Sequence, residues 1–312
     1  MQITAQMVKD LREKTGAGMM KCKEALQECN GNFEEAVDFL RKKGLASADK
    51  RSGRATSQGM VIPMTTTNRR TAVILEVNCE TDFVAKNDNF KAFANKIAKA
   101  VLNNASIQTV ADLEKASIEG QTADDLRKIM VSTTGENMGF GRVERFEIAN
   151  GKFGIFDTYI HGDGNIGVLV QLSTENAAAA ENPETITLAH EIALQAAAMK
   201  PLYAHTSEVP TEALAREKDV ILGQIKNDPK NANKPEDILH KIVEGRLAKY
   251  YKEYCLNEQA YVKDDSKSIN DLTVELSKKL GSKVALVTYR RWALGESSAG
   301  ATPEEKSAEA AG

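Results

Sequence analysis

The chain has 312 residues, 42% hydrophobic and 27% charged, which suits a soluble protein of two or three domains with buried cores. A formal net charge of −3 and only 5% aromatic residues argue against a protein whose main work is neutralising phosphates or stacking single-stranded bases. Cys22, Cys29, Cys79 and Cys255 form no CxxC pair, so neither a zinc cluster nor a disulfide framework is expected, and reduced thiols in a cytosol are the simplest account.

The start, MQITAQMVKDLREK, is polar and periodic, without the apolar stretch of a secretory signal and with two acidic residues that suit a transit peptide poorly. No apolar run approaches the length of a bilayer span. Thr4 predicts the N-cap of a helix with Met7, Val8 and Leu11 on its apolar face, broken by Thr15-Gly16-Ala17-Gly18. A second helix sets Met19, Cys22, Ala25, Leu26 and Cys29 on one face. After Asn30-Gly31-Asn32 a third carries Phe33, Ala36, Val37 and Leu40 and ends at Gly44. Residues 1–45 therefore read as a small helical bundle, and the basic, polar segment 46–59 as an exposed linker.

Residues 60–66 and 71–78, rich in β-branched side chains around Asn68-Arg69-Arg70, predict a hairpin. A helix follows with Phe90, Phe93, Ala94, Ile97, Ala98 and Val101 at helical spacing, and Thr122-x-x-Asp125 reads as a capping box opening another. Strands return over 142–149, 153–161 and 166–172, with Asn150-Gly151 as a type I′ turn, before a helix over 183–199. Strands then helix, twice over, predict an α+β fold of two related subdomains, 60–165 and 166–295. Within the second, periodic helices 211–226 and 235–256 flank Asn227-Asp228-Pro229-Lys230-Asn231, with Pro235 at the first helical position. Ile238, Ile242, Val243, Leu247, Tyr250 and Tyr254 make a seam too narrow for a globular core, so residues 211–256 predict a protruding antiparallel helical hairpin. A helix over 269–280 and a strand over 284–292 complete this half. Residues 296–312, dominated by Ala, Ser, Gly, Glu and Pro, read as a disordered tail.

Catalytic motifs are few. Gly162-x-Gly164-x-x-Gly167 has dinucleotide-fold spacing, but a strand follows where a helix N-terminus is required, so a turn between strands is expected. No GxxxxGK[ST] run is present, and His190-Glu191 lacks the second histidine of a zinc-protease motif, since Leu194 stands there. Cys79 with His161 or His190 as base would make a nucleophilic pair, yet nothing local joins them and small buried cysteines are common. Two segments resist a structural explanation. Phe83, in Val77-Asn78-Cys79-Glu80-Thr81-Asp82-Phe83-Val84, sits in the turn between a strand and a helix, where it either packs back into the core or points outward. Met19 and Met20 point about 100° apart on their helix, so one of them is expected to be an exposed contact.

Together these segments resemble the elongation factor Ts family. The first signature is Leu11-Arg12-Glu13-Lys14-Thr15-Gly16-Ala17-Gly18-Met19-Met20-Lys21-Cys22-Lys23, and the second is Glu76-Val77-Asn78-Cys79-Glu80-Thr81-Asp82-Phe83-Val84-Ala85. Gly135-Glu136-Asn137, His161-Gly162 with Ile166-Gly167-Val168-Leu169-Val170, and Ile242-Val243-Glu244-Gly245-Arg246 follow in family order. The resemblance implies a ubiquitin-associated-like bundle, two related α+β subdomains, a coiled-coil hairpin and no enzymatic activity or cofactor. It implies a cytoplasmic guanine nucleotide exchange factor that binds elongation factor Tu and promotes GDP release. By resemblance, Thr81, Asp82, Phe83 and Val84 dock near the partner's Mg²⁺ site, with Phe83 as a wedge. Arg12, Met19, Met20 and Lys23 contact the same G domain, and Gly135 and His161 add further contacts. Asp82 either caps the helix after the turn or bonds the partner's backbone. The hairpin offers a route to a homodimer, and neither nucleic acid nor membrane is an expected partner.

The chain departs from the family at Thr134, where an aliphatic residue is usual, and at Met138-Gly139-Phe140-Gly141-Arg142, where an apolar pair and two arginines are usual. The loop 227–234 is longer than usual, and the tail from Ser297 has no counterpart. The rival readings are a binding scaffold using residues 1–45, a Cys79 enzyme, and RNA binding through Lys50-Arg51. Removal of residues 1–45 is expected to leave a folded core with weaker exchange, and removal of 296–312 to change nothing.

Overall fold

In the computed structural model, which describes residues 3–227 and 236–296, the Thr4 hydroxyl accepts a hydrogen bond from the Met7 amide at 3.2 Å and opens α1 (Ala5–Thr15). α2 (Met19–Glu28) and α3 (Phe33–Asp49) follow, and Val8, Leu11, Cys22, Ala25, Leu26 and Ala36 close over a shared core. α3 does not stop at Gly44 as expected but continues to Asp49. An interior glycine costs a helix only about 1 kcal/mol against alanine, and Gly44 serves close packing: a Cβ there would lie 3.1 Å from the Ser132 Cβ. Ala48, assigned to the linker by sequence, is buried in the next core.

That core begins with the antiparallel hairpin β1 (Gln58–Thr65) and β2 (Thr71–Cys79), in register Gln58 opposite Cys79. α4 (Asp82–Ala85), α5 (Asp88–Leu102), α6 (Val110–Lys115), the short ribbon β3 (Ser117–Ile118) and β4 (Gln121–Thr122), and α7 (Ala123–Thr134) follow before β5 (Met138–Glu147) joins the sheet in order β1-β2-β5. The predicted apolar face of α5, from Phe90 to Val101, is buried against this sheet. Thr122 caps α7 through the Asp125 amide at 3.0 Å, while the Asp125 carboxylate turns to Arg41 of α3 at 3.3 Å. The expected capping box is thus half made, its other half given to the bundle.

β5 starts four residues earlier than the 142 expected, and Asn150-Gly151 is not a hairpin turn. A type I′ turn needs positive φ at both residues, whereas of this pair only Gly151, at 77°, has it. The chain crosses here into a second sheet, guided by Ile148 N–H to Arg70 O and Phe156 N–H to Arg69 O. That sheet contains β6 (Phe153–His161) and β7 (Ile166–Thr174), so the division expected at 165/166 passes through a hairpin. Next come α8 (Ala177–Glu181), α9 (Pro183–Met199), α10 (Thr211–Asn227), α11 (Glu236–Tyr254), β8 (Ala260–Tyr261), β9 (Asp264–Ser268), α12 (Ile269–Leu280) and β10 (Val284–Ala293), which completes the order β10-β7-β6. Ile221, Ile225, Val243 and Leu247 form the buried seam between α10 and α11, while Ile238, expected in it, is exposed and Leu239 replaces it. The loop 227–234, apart from its first residue, Pro235 and the tail from 297 onward lie outside the described residues.

The architecture is α+β. Val61, Ala72 and Ile74 of the first sheet meet Phe156, Leu169 and Trp292 of the second in one buried cluster. Gly167 permits the approach, since a Cβ there would lie 2.5 Å from Val61 Cγ1 and 3.0 Å from Pro63 Cδ. Among the described residues, no helix is long and apolar enough to cross a membrane.

Candidate functional site

Strand β2 ends at Cys79 and the chain turns through Glu80 and Thr81 into the single-turn helix α4. Phe83 on that turn is 83% exposed, which removes the alternative that it fills the core. Val84 is half-buried and packs inward against the first core. Thr81 is the N-cap, accepting the Val84 amide at 3.4 Å, so Asp82 is not. The Asp82 carboxylate instead takes a hydrogen bond from Lys86 at 2.7 Å, which holds the acid below its usual carboxylate range. The same bond, with a smaller contribution from Asp163, holds the Lys86 ammonium above its ordinary value. Asp163 lies on the turn between β6 and β7. Val61 N–H also donates to Gly164 O at 2.8 Å, tying the β6–β7 turn to strand β1. The Gly-rich stretch is therefore a strand-to-strand turn, as expected.

His161, at the end of β6, is exposed and shares a hydrogen bond between its Nδ1 and the Tyr159 hydroxyl at 3.1 Å. His190 Nδ1 is 2.9 Å from the buried Asp157 carboxylate, which also pairs with Arg69. Cys79 Sγ is buried and donates to Thr81 O at 3.2 Å. Burial, reinforced by the negative charge of Glu136, pushes its thiol up to about 12. Among the described residues no hydrogen bond joins Cys79 to either histidine, so the nucleophile reading has no geometric support.

On the bundle, Met20 is 76% exposed and Met19 46% exposed, so both methionines face outward where one was expected to. Arg12 and Lys23 are exposed as well.

What joins these parts was only partly visible in the sequence. The C-terminal end of α7 touches the bundle through Lys21 Nζ, which donates to Ser132 O at 3.0 Å, and through Gly44 against Ser132. Gly135 then caps α7 at φ 82°, a left-handed conformation that glycine adopts without Cβ strain. Immediately after it, Glu136 accepts from both donors of Thr81, the amide at 3.0 Å and the hydroxyl at 2.6 Å. Asn137 N–H returns the contact to the Glu80 carboxylate at 2.6 Å, and its side-chain amide donates to Ser52 O and Arg54 O. The segment Gly135-Glu136-Asn137 was noticed by sequence only for its family resemblance. The available signal was a carboxylate placed directly after a helix-capping glycine.

The family model described as Elongation factor TS matches residues 80–296. Elongation factor Ts of Clostridium novyi is 42% identical over 296 residues, covering 94% of this chain and 93% of that protein. Those of Nostoc punctiforme and Symbiobacterium thermophilum are each 40% identical, covering 95% of this chain and 93% of theirs. An α+β protein that follows such relatives almost end to end is a translation elongation factor. The chain belongs to the elongation factor Ts family.

Proposed function

We propose that this protein binds elongation factor Tu in its GDP form and promotes GDP release, with no covalent chemistry of its own. The observation that carries this is Phe83, an aromatic side chain 83% exposed on a turn whose backbone is held by side-chain hydrogen bonds. Burying such a ring in a partner gains roughly 1.5–3 kcal/mol, enough to bias a partner element with two arrangements. If the wedged arrangement holds Mg²⁺ and phosphate poorly, factor and nucleotide weaken each other by the same factor. GDP leaves, and incoming GTP later expels the factor.

In this reading Phe83 is the wedge and Asp82, half-exposed beside it, is available to the partner's backbone at the cost of its bond to Lys86. Thr81 and Val84 shape the turn from within. Met19, Met20, Arg12 and Lys23 form a second contact on the ubiquitin-associated-like bundle, and His161 a third beside the β6–β7 turn. Gly135 acts as the bend that sets Glu136 in place. The two sheets, each with its helices, are the two related subdomains, and α10 with α11 is the hairpin. The test is stopped-flow release of fluorescent GDP from elongation factor Tu. Acceleration by substoichiometric amounts of this protein supports the proposal, and no acceleration with a cognate partner overturns it.

A further inference from the structure

A one-turn helix has almost no stability of its own, because nucleation costs more than one or two backbone bonds return. α4 is such a helix, four residues long, and its cap bond from Val84 N–H to Thr81 Oγ1 is long at 3.4 Å. The geometry of Phe83 must therefore be fixed from outside. The Glu136 carboxylate does this at the cap residue itself. Its two oxygens take the Thr81 amide at 3.0 Å and the Thr81 hydroxyl at 2.6 Å, a two-point grip that sets both the backbone and the side chain of Thr81. Glu136 is itself held, between Gly135 at the end of α7 and Asn137, whose amide is bound by Glu80.

We propose that Glu136 is a positioning residue for nucleotide exchange, acting through Thr81 to pre-order the turn that presents Phe83. The inference rests on the reading of Phe83 as the exchange contact. Without the grip, the turn would have to be ordered at the moment of binding, and that ordering subtracts from affinity. Glu136→Gln keeps one oxygen as acceptor but loses the charge and the second acceptor, whereas Glu136→Ala keeps neither oxygen.

The test uses the full chain and has two readouts. In GDP release, Glu136→Ala is expected to lower exchange about tenfold, as for a lost charged hydrogen-bond pair, with Glu136→Gln intermediate. In a Phe83→Ala background the same change is expected to cost much less, because the main group it positions is gone and only Asp82 remains on the turn. Amide hydrogen exchange, read without any partner, is expected to show protection lost at Thr81 and the following turn while the β1-β2-β5 sheet keeps its own. Equal losses in both backgrounds, or protection lost across the whole sheet, would mean a general structural role and overturn the proposal. A slow Phe83→Ala with a normal Glu136→Ala overturns it while leaving the exchange reading standing. A normal Phe83→Ala removes the wedge itself, and the Glu136 role with it.

Discussion

Arg142 lies over the Trp292 ring with its guanidinium carbon 4.4 Å from the ring centroid, so a residue of β5 is stacked on the last strand of the other sheet. The same guanidinium grips the fully buried Glu76 carboxylate at 2.6 and 2.9 Å and donates to Ala293 O at 3.1 Å. Glu76 also accepts from Asn78 and from the Gly295 amide. Arg142→Met is expected to cost about 3–5 kcal/mol, because it takes a two-bond guanidinium grip away from a buried carboxylate. Urea unfolding measures the loss, and the double change Glu76→Gln with Arg142→Met is expected to recover part of it.

Phe83→Ala and Met20→Ala are expected to leave the urea midpoint within the range of neutral surface changes, about 0.5 kcal/mol, since both side chains lie outside the cores. Exchange on elongation factor Tu is expected to fall by about tenfold or more for Phe83→Ala, the equivalent of losing one buried aromatic contact. Loss of stability in either variant would contradict the exposed placement.

Gly167→Ala is expected to destabilise by about 1–3 kcal/mol, the usual cost of overpacking, because its Cβ would meet Val61 at 2.5 Å. Gly151→Ala, where a Cβ meets nothing within 4 Å, has only its φ of 77° against it and is expected to cost about 1–2 kcal/mol. Gly167→Ala also loosens the contact between the sheets. Hydrogen exchange across Val61 and Leu169 separates the two effects.

Stability is expected to fall on the alkaline side. Burial pushes the Cys79 and Cys255 thiols from 9.0 to about 12, and burial with the bond to Glu191 pushes the Tyr261 phenol from 10.0 to about 12. Between the ordinary and the raised values the unfolded chain has lost protons that the native chain keeps, so rising pH favours unfolding. Thermal unfolding at pH 8, 9.5 and 10.5 is expected to show a falling midpoint. At pH 8 Cys79 is expected to resist iodoacetamide in the native chain and to react in urea.

Removing residues 1–45 is expected to leave a folded core, as the sequence suggests, but one of lower stability. Arg41 pairs with Asp125, Lys21 donates to Ser132 O, and Gly44 packs on Ser132, so the cut would strip a face of α7. Equal urea midpoints for the full and shortened chains would restore the separable bundle.

The strongly periodic elements were legible: α9 and α12 fall on the predicted residues, and Thr4 caps where a threonine before an apolar face should. The misreadings share one cause, which is that a local signal was answered by a distant partner. Gly44 looked like a helix end but is a packing residue against α7. Asn150-Gly151 has hairpin composition, yet the strands on either side belong to different sheets. Asp125 sits where a capping box needs it and pairs with Arg41 across the bundle. In the site, the residue types were readable and their division of labour was not. Nothing in Thr81-Asp82-Phe83-Val84 says that Thr81 and Val84 serve the turn while Phe83 faces outward, because that depends on a carboxylate 55 positions away in sequence.

The run of α3 past Gly44 makes one helix serve both the bundle and the first core, where its Ala48 is buried. A bundle hung on a string could search for its contact after the first one formed. This one behaves as the fixed jaw of a caliper, with Met20 on one arm and Phe83 on the other. The gap is set when the chain folds, so any protein that touches both must itself adopt the spacing, and the cost of adjustment falls on that partner.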